Sequence, residues 1–451
     1  MQITFLTLFL GLVSGRLPVE LQVTGPVAAV ELTLDGQAAG RIAAPPWKAT
    51  VDLGPLAPHE LVARALDDKG AELASARQWI NLPRAPAELA LGLEGAAGGK
   101  PGAVRMTWQS VTNSSPTAVT LSFDGSPLAV DGQGRAALPA YRSDSAHVLS
   151  AEVRFSPALA ARKDVAFGGD WGSEVSTELT AVPVRIRRGA RLPPADALQG
   201  WFTADGKPLR AAAVEAGPAR LLVVRDPSAR STLARLGSAA QKRFEARDHR
   251  IIRQITGATG SDLALAEADR VRFIWPTAKP FPGEGVTSEL FESSQEFPTN
   301  GAGGLYWLLS RVLHDGDGAG EPRIADATAV AGLQALAGHH ARAVLLVLGD
   351  GLFDASRYDP AALRRYLATI RVPLHVWSVT GLPKGPAAAA WGEVEDASSM
   401  SKLLKAAEGL RSDLESQRIV WVEGLHLPQS ITLTPAGAAA AELVAAAPPP
   451  R

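Results

Sequence analysis

The sequence predicts two N-terminal all-β sandwich modules followed by an α/β domain built on a doubly wound parallel sheet. Two observations lead to that reading. A strand-and-turn pattern occurs twice early in the chain, and apolar runs alternate with helical periodicity after residue 220. They divide the chain into a signal-peptide-like start (1–15), sandwich modules (16–86 and 87–176), an α/β domain with a leading β-hairpin (177–435) and a disordered tail (436–451).

The repeat is read first. Val30-Glu-Leu-Thr-Leu-Asp-Gly36 recurs as Val119-Thr-Leu-Ser-Phe-Asp-Gly125. Alternation places every second side chain on one face, and Asp-Gly supplies the positive-φ positions of a tight hairpin turn. At nearly the same offset, His59-Glu-Leu-Val-Ala-Arg-Ala65 is matched by His147-Val-Leu-Ser-Ala-Glu-Val153. Two such units, with frequent Pro and Gly turns, read as two small sandwiches.

The pattern changes after Trp171. Thr180 to Ile186 alternates as a strand, Gly200 to Leu209 carries another Asp-Gly hairpin, and Arg210 to Val214 returns. The runs Leu221–Val224, Val271–Trp275, Ala343–Leu348, Pro373–Val379 and Ile419–Val422 are apolar throughout. Such strands are buried on both faces, as in parallel sheets. Between them, Asp359 caps a helix with Pro360 in its first turn, and Leu363, Tyr366, Leu367 and Ile370 share one face. Asp326 opens a second helix, with Val330, Leu333 and Ala337 expected inward. Leu403, Leu404, Ala407, Leu410 and Leu414 line a third.

Composition narrows the function. Charges nearly cancel, at net −1, so no basic excess exists to neutralise nucleic-acid phosphates. Cysteine is absent, which removes disulfides, thiolate zinc sites, a cysteine nucleophile and lipid attachment through an N-terminal cysteine. Residues 1–15 are too short an apolar stretch to span a bilayer and match a signal-peptide core in length, with Ser14 and Gly15 suited to a cleavage site. No Lys or Arg precedes the run, and the alternative is a buried first strand. No second long apolar run occurs, so no membrane span is expected and the expected location is secreted, periplasmic or cell envelope.

Two resemblances add to this reading. Val30 to Pro46, Trp47, Val51-Asp52-Leu53-Gly54 and the segment from His59 to Glu72 resemble the Ig-like modules of exported bacterial proteins, over roughly 17–86. The second unit, about 87–172, matches that pattern more weakly. In open α/β sheets ligands bind beyond the carboxyl ends of the strands. Two acids stand there, Asp226 and Asp350. With the lead-in Ala204-Asp-Gly-Lys-Pro208, residues 177–425 resemble a von Willebrand factor A-type domain of the exported bacterial kind.

That resemblance implies a Mg²⁺ site built from D-x-S-x-S, a loop Thr and a later Asp-Gly, completed by an acid on a protein partner. Asp226 and Ser228 match, but Arg230 stands at the second Ser. Gly301-Ala-Gly-Gly-Leu-Tyr306 places Gly303 at the Thr position, and Gly349 precedes Asp350 where Thr is usual. Thr299 and Ser231 lie near enough in sequence to substitute only if the loops shift. Asp226, Ser228 and Asp350 are therefore the candidate metal residues of a degenerate site, with Arg230, Thr299 and Gly303 in its ligand-binding surface. Arginine has only donors and cannot ligate Mg²⁺. The expectation is that Arg230 bridges the two carboxylates and replaces the ion, the alternative being an Arg230 that points to solvent.

Other motifs fall short of chemistry. His339-His340 has no third ligand at metal spacing, and Asp315 to Glu321 lacks a calcium loop's twelve-residue frame. No phosphate-cradling Gly-Lys-Ser/Thr, nucleophile elbow or H-E-x-x-H occurs. Trp171, Trp201, Trp275, Trp307, Trp377 and Trp421 read as core, whereas Trp391, in a Pro/Ala/Gly-rich loop, is expected to be an exposed contact. The sequence thus points to a non-enzymatic protein-binding role with no required cofactor, or to a scaffold role in an envelope assembly.

Overall fold

The computed structural model describes the chain outside residues 1, 6, 8, 10, 11, 25, 84–86, 96–100, 111–114, 124–125, 143–146, 157–158, 168–178, 188–190, 194, 217, 237–264, 280–289, 300–303, 313–320, 338–339, 350–352, 383–389 and 446–451. It forms two compact units, and these are nested in sequence. One combines 1–83 with 179–451, and the other is the segment 84–178 between them.

The first sandwich has strands β1 (Gln2–Phe5), β2 (Arg16–Thr24), β3 (Ala29–Leu34), β4 (Gln37–Ile42), β5 (Lys48–Asp52), β6 (His59–Leu66) and β7 (Glu72–Ile80). They pair as a three-stranded sheet β1-β2-β5 and a four-stranded sheet β4-β3-β6-β7. Val19, Leu21 and Val51 of one sheet meet Val30, Leu32, Leu61 and Ala63 of the other in a common core. Asp35 and Gly36 have φ of 50° and 77°, the turn that Asp-Gly was expected to make. His59 Nδ1 lies 2.7 Å from Asp35 Oδ2 and locks that turn to the start of β6. The apolar start of the chain is a strand here: β1 pairs with β2, and Ile3, Phe5 and Phe9 are buried in the core.

The inserted unit repeats the plan. Its strands are β8 (Ala87–Gly95), β9 (Pro101–Ser110), β10 (Ala118–Phe123), β11 (Ser126–Pro127), β12 (Arg135–Ala137), β13 (His147–Ser156) and β14 (Leu159–Phe167). They pair as β12-β9-β8 and β11-β10-β13-β14, the first module's order shifted by seven strands. The sequence repeat maps onto equivalent strands, β3 with β10 and β6 with β13.

In the rest of the first unit, β15 (Leu179–Ile186), β16 (Phe202–Ala204), β17 (Lys207–Leu209) and β18 (Ala211–Glu215) precede β19 (Ala219–Arg225). Helix α1 covers 229–236. There follow β20 (Arg270–Lys279), β21 (Leu290–Ser293), α2 (Gly304–Arg311), α3 (Ile324–Ala337), β22 (Ala341–Leu348), α4 (Pro360–Thr369), β23 (Leu374–Ser378), β24 (Glu395–Asp396) and α5 (Met400–Ser416). The sheet order is β21-β20-β19-β22-β23-β24, parallel except for β21. Leu221, Val223, Phe273, Leu345 and Trp377 face α1, α2 and α5. Leu222, Val224, Ile274, Val344 and Leu346 face α3 and α4. Burial on both faces is why these strands read as unbroken apolar runs.

Three expectations are corrected. First, β25 (Gln417–Glu423) does not join the parallel sheet. It pairs antiparallel with β15 and β18, and its Val420 and Val422 fill a separate small core with Val182 and Phe202. An apolar run signals burial, not which sheet does the burying. Second, the segment after Ala436 is not a disordered tail throughout. After β26 (Ile431–Leu433), α6 (Pro435–Ala440) leads into β27 (Ala441–Leu443), which pairs with β15, and Val444 is fully buried. Residues 446–451 lie outside the described ones. Third, α3 packs through its small residues: Ala327, Ala331 and Ala335 are buried while Ala337 is exposed.

The first sandwich and the α/β part form one unit because they share buried groups. Asn81, left-handed at φ 57°, donates through Nδ2 to Val13 O and Ala57 O and accepts from Val13 N. Its own carbonyl accepts the hydroxyl of the buried Tyr366 at 2.9 Å. Tyr358 donates to Leu12 O, and Leu56 is buried in the core beneath α3 and α4.

A charged junction joins the parallel sheet to the small antiparallel one. Asp413 of α5 accepts from Arg185 of β15 through Oδ1 and lies 3.1 Å from His375 Nε2 of β23 through Oδ2. Burial disfavours the His375 cation, but Asp413 and Glu395 outweigh it and raise the pKa to about 9. Burial likewise opposes the Asp413 anion, which hydrogen bonding to His375 and the Arg185 charge hold below the usual carboxylate range.

Two outcomes follow. The His375 contribution is complete below the unfolded value near 6.5 and is lost as pH rises through about 9, so denaturant midpoints should fall across that window and fall less in His375→Gln. At the α3–α4 crossing, a Cβ on Gly332 would lie 2.1 Å from Leu367 Cδ2. Gly332→Ala should therefore lower stability by about 1–3 kcal/mol in urea unfolding, the usual cost of overpacking.

Candidate functional site

The chain leaves β19 for β20 on one side and later enters β22 on the other, so the topological switch lies between β19 and β22. That crevice is where open α/β sheets bind ligands. Here Asp226 closes it. The residue is 3% exposed, and its backbone N–H donates to Val347 O. Its Oδ1 accepts from Ser228 N at 2.9 Å and its Oδ2 from Gly349 N at 3.1 Å, so the carboxylate staples the ends of β19 and β22 together. Hydrogen bonds to a charged acceptor contribute roughly 1.5–3 kcal/mol each. The Ser228 hydroxyl packs over Gly349, where an added Cβ would lie 2.1 Å from Ser228 Oγ and 2.5 Å from Ala229 N. Thus Gly349 replaces the expected Thr because the 226–229 turn occupies the space of a side chain.

Beneath the staple lies a residue that the sequence reading passed over. Arg225 is 2% exposed, with its guanidinium 5.8 Å and 5.6 Å from the ring centres of Phe273 and Trp275. It donates to Leu309 O at 2.7 Å and Val312 O at 2.9 Å, at the carbonyl end of α2. The negative end of a helix dipole and two aromatic faces offset the cost of burying the cation. A charged residue closing an otherwise apolar strand, Leu-Leu-Val-Val-Arg, was the available signal.

The loop after β22 is anchored at its far end too. Asp354 accepts from Ile324 N and Ala325 N and so caps α3 from outside the helix. Asp326 accepts from Arg357 N and Tyr358 N and pairs with Arg323. Immediately before the first of these anchors, Phe353 is 59% exposed. The turn after β23 is pinned by Ser378 Oγ donating to Gly381 O, and the next residue, Leu382, is 60% exposed. Arg230 is exposed in the first turn of α1. Arg230, Phe353 and Leu382 thus follow three consecutive strands of the sheet, β19, β22 and β23.

The expected site residues divide. Asp226 and Ser228 share one turn through the Ser228 N–H, and Arg230 is exposed and makes no ion pair among the described residues, so it does not bridge to Asp226. Two backbone N–H groups stabilise Asp226 instead. Thr299 is 1% exposed, with its hydroxyl accepting from Leu265 N at 2.8 Å, so it braces the interior. Ser231 donates to Ser228 O within its own turn and does not stand in as a ligand. Gly303, Asp350, His339 and the loop 313–320 lie outside the described residues. Trp391 is not an exposed contact: it is 5% exposed and packs into the core beside α4. Among the described residues no group of three or more His, Cys, Asp or Glu is placed to hold a metal, and no helix is long and apolar enough to cross a membrane.

No protein-family model matches the chain, and no curated protein matches it. Among solved structures it is similar to fibronectin(III)-like modules of Clostridium thermocellum CbhA, at 13% identity over 37% of this chain and 93% of that one, with a TM-score of 0.16. It is similar to the central fibronectin-III array of RIM-binding protein, at 8% identity over 45% and 81%, with a TM-score of 0.25. A β-glycosidase from Bacteroides vulgatus matches at 13% identity over 37% of this chain and 24% of that chain, with a TM-score of 0.22. Likeness at this level carries no functional argument.

Gly349→Ala should force the 226–229 turn off β22 and lower the thermal midpoint by several degrees, following a cost of about 1–3 kcal/mol. A midpoint unchanged in calorimetry would mean that the crevice is open enough to admit a side chain.

Proposed function

We propose that this chain is an exported recognition protein that binds another protein through a von Willebrand factor A-like domain with a degenerate, metal-free adhesion site. The observation that supports this reading is the exposure of Phe353, Leu382 and Arg230 on consecutive strand-end loops whose bases are hydrogen-bonded to the scaffold. Large apolar side chains exposed beside hydrogen-bonded turns at one edge of a sheet suit a partner's surface more than a small molecule in a crevice. The crevice itself is taken up by Ser228 and the Asp226 staple.

The metal-free part rests on the donors. Both Asp226 oxygens accept backbone N–H groups, Thr299 faces inward, and Arg230 offers no lone pair. Mg²⁺ requires a near-octahedral shell of hard oxygens, which these described residues do not fit. No catalytic step is assigned to the site.

A scaffold role within an envelope assembly is the second reading. It is favoured by the buried Tyr366–Asn81 hydrogen bond, which makes the first sandwich and the α/β layer one body.

Two measurements decide. Mg²⁺ and Mn²⁺ titrated by calorimetry should give no heat of binding at micromolar levels; binding there would remove the metal-free reading. Pull-down from envelope extracts with the Phe353→Ser/Leu382→Ser double variant should lose the partner captured by wild type, while its thermal midpoint stays within about 1–2 °C, as for exposed substitutions. Equal capture by both proteins would move recognition elsewhere and leave the scaffold role.

A further inference from the structure

At the opposite, amino end of the parallel sheet, two arginines meet in the interior without an acid. Arg342, the second residue of β22, has no exposed surface. Gln417 holds its backbone on both sides, accepting from Arg342 N at 3.0 Å and donating to Arg342 O at 3.1 Å. The guanidinium reaches one neighbour, the carbonyl of Arg371, at 3.4 Å from Nε. Its Nη1 and Nη2 are buried without hydrogen-bond partners, and so is Nε of Arg371. Arg371 reaches a single carbonyl, Ile431 O, at 3.3 Å from Nη2. No carboxylate among the described residues pairs with either side chain.

The backbone at Arg371 strengthens the case. It lies just past α4 in the left-handed region, at φ 59°, where helices ordinarily place glycine. The turn is closed by Arg371 N donating to Ala368 O and Val372 N to Leu367 O, a geometry that glycine would adopt at no steric cost. An L-residue there costs on the order of 1–2 kcal/mol. An unpaired buried guanidinium costs several kcal/mol more. Two unfavourable terms at one point are offset together if an anion sits between the side chains. Burial alone pushes the Arg342 pKa down to about 10, which leaves it cationic at neutral pH, and holds Arg371 below its ordinary value.

We propose that Arg342 and Arg371 frame an internal site for a small oxyanion. Three N–H-bearing nitrogens of two neighbouring planar guanidinium groups are left without partners, and such forks match the oxygens of phosphate or carboxylate. Arg371 is only partly buried, so this end of the pair lies nearer solvent than Arg342. The occupant completes a junction of three segments: β22, the turn after α4, and β26, whose Ile431 carbonyl Arg371 already holds. This site is independent of the strand-end surface and does not rest on its function.

The full chain is tested by thermal unfolding in inorganic phosphate or in acetate, with chloride keeping ionic strength constant. Above the dissociation constant, the midpoint should rise on the order of 2–3 °C for each tenfold increase in the bound anion. Arg342→Met should abolish the response and Arg371→Gln should weaken it; the second variant serves if the first does not fold. A response to phosphate alone assigns a tetrahedral oxyanion, and a response to acetate assigns a carboxylate. No response to either anion would overturn the proposal. An equal response in wild type and Arg371→Gln would also overturn it, because it would report a general salt effect.

Discussion

The carboxylate of Asp226 is the constraint on which the carboxyl edge of the sheet depends. It is buried at the one point where strand order reverses, and it spends both oxygens on backbone N–H groups from opposite sides of the crevice. Everything above it follows. The 226–229 turn lies flat on Gly349, α1 starts directly from that turn, and Asp354 holds the chain after β22 against the start of α3. A surface with Phe353 and Leu382 held outward is possible because the residues beneath them are tied down.

The unit meets the burial of charge in four ways. Asp226 uses backbone dipoles, and Arg225 uses the carbonyl end of α2 together with two rings. Asp413, His375 and Arg185 neutralise one another between two sheets. Arg342 and Arg371 have neither partner nor dipole beyond single carbonyls. The contrast is informative because buried charge is normally paired or hydrogen-bonded. Each of the first three is held by two or more partners within the chain, whereas the fourth asks for something from outside it.

Much of the architecture was legible in the residues. The Asp-Gly repeat marked equivalent hairpins, and the cap at Asp359 with the Leu363–Tyr366–Leu367 stripe located α4 as expected, Asp359 accepting from Ala362 N at 2.7 Å. What was not legible is partnership over long sequence distances. Nothing local in Ile419–Val422 distinguishes an antiparallel partner of β15 from a member of the parallel sheet. Arg230 looked like an electrostatic substitute because it stood two residues beyond a buried acid's turn partner in a ligand motif, yet helix geometry sends it outward. Trp391 sits in a segment with loop composition, but α4 and β22 present an apolar wall that composition cannot reveal. The Phe353 and Leu382 surface was missed because exposed apolar residues carry no sequence signature of exposure.

The nesting of the two units changes what counts as a module of this protein. A reading along the chain gives three beads in a row, whereas Asn81 reaches across nearly three hundred residues to make the first bead part of the last. The stretch 84–178 is then a cassette carried within a host, entering after Pro83 and leaving before Leu179. For inheritance, this means that the cassette can be lost, duplicated or exchanged without a cut through a hydrophobic core. The first sandwich has no such freedom, because removing it takes Leu56 out of the core beneath α3 and α4 and leaves the Tyr366 hydroxyl without the Asn81 carbonyl.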